Sequence, residues 1–130
     1  TVNKMNYKHV LDFWFDPENK EFWFSKSDEF DLELEEKFGH TLQQAMQCEL
    51  WTWRETAEGR LAEIIVLDQF SRNLFRDHPA SFAQDPLALS LAQEAVRLGL
   101  DQQLAPDQRC FMYMPFMHSE STIIHAQDLQ

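Results

Sequence analysis

Apolar residues return every three or four positions along almost the whole chain, and no segment alternates apolar with polar residues as a half-buried strand does. Glycine, the usual residue of tight turns, occurs only at Gly39, Gly59 and Gly99. Together these features predict an all-α fold. Asn6 is placed to cap a first helix whose stripe is Tyr7, Val10, Leu11 and Trp14, and Asp16-Pro17 breaks it. Ser27 or Asp28 opens a helix to Phe38, with Gly39 at the expected C′ position, and a third helix runs from Thr41 towards Leu50. Thr56 caps a long helix from Ala57 to Phe75, which His78-Pro79 ends. Asp85-Pro86 reads as a carboxylate cap followed by proline at the first helical position, and Gly99 closes that helix. Pro106-Asp107 opens another towards Met114, Pro115 kinks or stops it, and Ser119 to Gln130 is helical again. Short loops joining about six or seven helices predict an antiparallel helical-hairpin array.

With 130 residues, residues 1–130 make one helical domain, and an apolar share of 44% supplies a core. Eleven Phe and four Trp supply its large faces. A net charge of -11 argues against a nucleic-acid partner and against an anionic membrane surface. No run reaches the ~18 apolar residues of a membrane span, and Thr1 to Tyr7 holds no apolar signal core. The expectation is a soluble cytoplasmic protein. Cys48 and Cys110 are read as reduced, buried small hydrophobes. The chain has no phosphate-cradling glycine loop, paired CxxC, HExxH or GxSxG, so neither a metal nor a cofactor is expected.

The central segment carries the chemistry. Leu67, Phe70 and Leu74 can enter a core, while Asp68, Arg72 and Arg76 recur every four residues along a separate stripe. Charged groups beside a buried stripe must be paired or wet, which places this helix at the border of a polar cleft. Two readings follow. In one, Arg72 or Arg76 forks onto a carboxylate or phosphate and Asp68 orients it. In the other, Asp68 and Arg72 pair and clamp a neighbouring loop, while Gln69 and Asn73 bond to backbone groups. His118 with Glu120, just past the Pro115 break, could form an acid/base pair beside free helix N-terminal amides; alternatively Ser119 caps the final helix and His118 bonds locally. His118 and His125 stand too far apart along a helix to share an ion. Phe13, Trp14, Phe15, Phe22, Trp23, Phe24, Trp51 and Trp53 are read mainly as core, with some aromatic surface left exposed because neighbours cannot all face inward.

Five segments in order resemble one bacterial family, the domain of unknown function 924. They are Val10 to Phe15, Arg60-Leu61-Ala62, Leu67 to Arg76, Phe82 to Leu89 and Met114 to Glu120. The resemblance covers nearly all of residues 9–120 and implies an all-α fold similar to tetratricopeptide-like superhelices, without an established activity. Ser71 stands where the family usually has proline. Relatives usually carry a further C-terminal region with basic and histidine residues, so the chain is expected to lack that portion.

The leading functional expectation is a binding or interaction module whose polar cleft, built from Asp68, Gln69, Arg72, Asn73, Arg76 and His118, takes a small anion or a peptide. The alternative is a small enzyme, perhaps hydrolytic, with His118 as acid/base oriented by Asp68 or Glu120. The helix-like C-terminal stretch has no stop signal, which raises self-association through that face as a further expectation.

Overall fold

The computed structural model describes residues 6–128, with side chains described for residues 6–119. Helix α1 spans Tyr7–Trp14, α2 Asp28–Met46, α3 Ala57–Ile65, α4 Ser71–Leu74, α5 Asp85–Arg97 and α6 Pro106–Asp128. A π turn, Val66–Phe70, joins α3 to α4, so residues 57–74 form one continuous rod. Single 3-10 turns fill the connections at Lys20–Phe22, Trp51–Glu55, Pro79–Phe82 and Leu100–Gln103. No strand occurs among the described residues.

The rod is the centre of the molecule. From Leu61 through Phe70 every residue is buried, the pattern of a helix enclosed on all sides rather than lying on a surface. Helices α1, α5 and α6 pack on α3, and α2 packs on the π turn and α4. Trp14 is fully buried against the rings of Phe70 and Phe111, each at a centroid distance of 5.6 Å. Rings so placed make a core in which loss of one aromatic side chain costs about 3–5 kcal/mol. The predicted caps form: Asn6 accepts from the Lys8 amide at 2.8 Å, Ser27 from Phe30 at 3.2 Å, and Thr56 from Gly59 at 2.9 Å. Each satisfies an orphan amide at a helix start.

Two predicted interruptions do not occur, which reduces about six or seven expected helices to five continuous rods among the described residues. Helix α2 passes straight through Gly39, because Phe30, Leu34, Phe38, Thr41, Leu42 and Ala45 form one unbroken buried stripe. Burying that stripe outweighs the ~1 kcal/mol that glycine costs a helix interior. A Cβ at Gly39 would meet only Glu35 Cγ, at an ordinary 3.6 Å. Gly39→Ala should therefore raise stability by about 1 kcal/mol. A higher urea midpoint with an unchanged slope is the expected result, and a lower midpoint contradicts it.

The true end of α2 lies at Gln47, and Cys48 takes the left-handed slot after it, with φ 60°. Both Cys48 and Cys110 are exposed, contrary to the expectation of buried thiols, because neither falls on its segment's buried stripe. Helix α6 runs through Pro115, which removes one backbone donor without breaking the helix. Phe111, Met112 and Met114 hold the turn before the proline against the core. Among the described residues no helix is long and apolar enough to cross a membrane.

Candidate functional site

Asp68 and Gln69 lie on the π turn, whose wider backbone re-aims side chains relative to the α-helix on either side. Both are buried. A carboxylate at that depth requires several donors, and Asp68 has them. Its Oδ2 accepts from Gln69 Nε2 at 2.8 Å, while Oδ1 faces Arg72 Nη1 at 3.2 Å and His118 Nδ1 at 2.9 Å. Arg72 Nη1 also donates to the Asp68 carbonyl at 2.8 Å.

Arg72 then forks onto Asp85, with Nη1 to Oδ1 at 2.9 Å and Nη2 to Oδ2 at 3.0 Å. Asp85 was expected to cap α5; its carboxylate instead accepts this planar pair, and Gln84 precedes the helix without a side-chain cap. The charge-assisted fork is the stronger bond, which explains the choice. Arg72 also lies over the Phe82 ring, 5.3 Å from its centroid.

One turn further on, Arg76 leaves the expected stripe and forks onto Asp31 of α2, through Nε at 2.9 Å and Nη2 at 3.1 Å. The hydrogen bonds to Asp31 hold the Arg76 guanidinium above its ordinary pKa; partial burial opposes this, and Asp77 and Asp28 add to it. Asn73 Nδ2 donates to Asp31 at 2.9 Å rather than to a backbone group. The i,i+4 pairing of Asp68 with Arg72 is thus present, but the stripe ends in two separately anchored guanidinium groups.

Arg72, Arg76, Gln69, Asn73 and His118 line one hollow of about 200 Å³. Asp68 lies behind them, 1% exposed. The rest of the wall is Phe22, Trp23, Phe24, Ser25 and Met114. Trp23 is pinned by its indole N–H, which donates to the Trp14 carbonyl at 2.8 Å. Of the aromatic set, Phe13, Trp14 and Trp53 are core, Phe15, Phe22 and Trp23 are half-buried, and Phe24 and Trp51 are exposed. A wider, open groove of about 660 Å³ lies around α1; Phe15 lines it, but none of the polar residues expected at the cleft does.

His118 reaches the site by another route than expected. It sits inside α6, not at a helix start, so neither free N-terminal amides nor a Ser119 cap applies. The side chain of Glu120, like that of His125, lies outside the described residues. The partner of His118 at Nδ1 is Asp68, 50 residues earlier. With Asp68 ionised, Nδ1–H donates, which fixes the ring orientation. Among the described residues no group of three or more His, Cys, Asp or Glu could hold a metal ion.

Asp31 and Asp85, which anchor the two arginines, were absent from the sequence-based set. Ser71 adds a local defect: its hydroxyl is fully buried with no hydrogen-bond partner among the described residues. Its φ of -59° is the value that proline fixes. Ser71→Ala removes the unsatisfied oxygen and should stabilise the protein by about 1 kcal/mol. Thermal unfolding checks this, and a lowered midpoint contradicts it.

Comparison with curated proteins finds no match. Among solved structures, a protein of unknown function from Agrobacterium tumefaciens is similar, with 40% sequence identity and a TM-score of 0.81 over 86% of this chain. The present chain spans 63% of the length of that one. The model of the bacterial proteins of unknown function DUF924 matches residues 10–130. On that match, and on the helical frame that carries its signature segments, the chain belongs to the DUF924 family.

Proposed function

We propose that this protein is a binding module that takes a small anion, or the carboxylate end of a peptide, in the hollow between Arg72 and Arg76. One observation carries the reading. Both guanidinium groups border the same 200 Å³ space, and each is held from behind by a carboxylate that fixes its orientation. Neither fork uses all five guanidinium donors: Arg72 Nε and Arg76 Nη1 have no protein acceptor among the described residues. Fixed donors meet an anion with little ordering left to do. Gln69 and Asn73 are oriented by their own bonds to Asp68 and Asp31.

Each charge-assisted bond contributes about 1.5–3 kcal/mol, so two give a Kd near the millimolar range for a bare anion. Titration calorimetry of the full chain with acetate and inorganic phosphate at low salt tests this. Saturable binding is expected, weakened about tenfold or more in Arg72→Gln and in Arg76→Gln, the loss of one such bond. No saturation, or variants that lose only stability, counts against it.

The contact between His118 Nδ1 and Asp68 favours a second reading, in which the same hollow supports hydrolysis. A carboxylate-oriented imidazole can take a proton from water and return it to a leaving group. This reading expects turnover of a simple ester or phosphate monoester that disappears in His118→Asn while anion binding persists. Equal rates for the variant and the parent exclude it.

A further inference from the structure

We infer that the ligand of this hollow is a small aromatic carboxylate, a single negative charge carried on a flat ring. The inference rests on the anion-binding reading above and follows from three further properties of the same walls. The first is size. At about 200 Å³ the space falls below the ~300–1,000 Å³ of drug-sized sites and suits a body of about ten heavy atoms.

The second property is charge. Arg72 and Arg76 carry two positive charges, and three carboxylates, Asp31, Asp68 and Asp85, stand directly behind them. A single negative charge can meet the unused N–H groups without adding much repulsion. A phosphate dianion would bring a second charge towards the same three carboxylates, so a planar monoanion is the better match.

The third is the apolar part of the lining. Phe22, Trp23, Phe24 and Met114 line the same hollow as the polar residues. Phe24 is 73% exposed although its ring lies nearly parallel to Phe111, at 11° and a centroid distance of 6.2 Å. The aromatic support below Phe24 and the open space beside it make a platform for another ring. Trp23, locked by its bond to the Trp14 carbonyl, gives the same part a rigid edge. The polar part of the lining thus selects a charge and the apolar part a flat body.

The experiment titrates the full chain with 3-phenylpropionate, acetate, inorganic phosphate and benzyl alcohol, read by calorimetry and by Trp fluorescence. Phenylpropionate should bind at least about tenfold more tightly than acetate or phosphate, the order of one stacking contact plus apolar burial. Phe24→Ala, a change at an exposed side chain, should remove most of that advantage, read as the ratio of the acetate Kd to the phenylpropionate Kd in the variant. If acetate binds as well as phenylpropionate and Arg76→Gln weakens both, the aromatic inference fails and the anion site stands. Tighter binding of phosphate than of phenylpropionate also overturns the inference. Benzyl alcohol binding as tightly as phenylpropionate overturns it as well, because charge then contributes nothing. If none of the anions binds, both the inference and the site on which it rests are wrong.

Discussion

Asp68→Ala is expected to lower stability by about 3 kcal/mol or more, a large fraction of what holds a domain of this size together. The carboxylate is 1% exposed and serves three side chains from different positions in the chain. Its loss leaves the buried Gln69 amide without its acceptor. Arg72 keeps Asp85, but a guanidinium that spanned two carboxylates now holds one. An unpaired buried polar group costs about 1–3 kcal/mol in addition to the broken bonds. Asp68→Asn keeps an acceptor of the same shape and should cost less than half as much. The exposed pair Glu94–Arg97 is the control: Glu94→Ala should leave stability nearly unchanged. Urea unfolding gives all three values. An Asp68→Ala loss no larger than the Glu94→Ala loss would show that the carboxylate does not organise the polar cluster.

Gly59→Ala should be as damaging, although alanine is the better helix former. Gly59 is buried in the first turn of α3, where its amide donates to the Thr56 cap. A Cβ there would lie 1.9 Å from the Trp53 carbonyl oxygen and 2.9 Å from its carbon. Those are backbone atoms and cannot rotate away. The 3-10 turn Trp51–Glu55 or the start of α3 must move, which disturbs the Thr56 cap and the ion pair of Arg54 with the buried Glu63 at 2.8 Å. We expect a loss of about 3 kcal/mol, or failure to fold, against a gain of only ~1 kcal/mol from helix propensity. The opposite sign expected for Gly39→Ala makes the pair informative, since both glycines are helical and differ in what surrounds the missing Cβ. If both substitutions stabilise, the close approach of Trp53 to α3 is not present in solution.

The helices were legible because their signals are local. Caps at Asn6, Ser27 and Thr56, and the apolar period on each segment, depend on residues a few positions apart. The same locality explains the errors at Gly39 and Pro115, where a residue that disfavours a helix was read without the tertiary burial that outweighs it. The polar side chains of the central rod were legible as a group because charge beside a buried stripe has few explanations. Their partners were not. Asp31 lies 42 residues before Asn73, and no periodicity links them. Asp85 carried a strong capping signal that concealed its long-range role. The aromatic wall was visible as composition, but which ring would remain exposed depended on how residues 20–25 pack against α6. The π turn left no readable mark, since Val66 to Phe70 continues the helical period on both sides.

The two arginines can be observed individually. Nitrogen-resolved NMR of the guanidinium Nε–H groups, followed while acetate or phenylpropionate is added, reports on each of them without mutation. Binding in the hollow predicts that the Arg72 and Arg76 resonances shift together and saturate at one ligand per chain, while the exposed Arg97, paired with Glu94, stays unmoved. Shifts that grow linearly without saturation, or that are equal at Arg97, would mean that the hollow is no binding site.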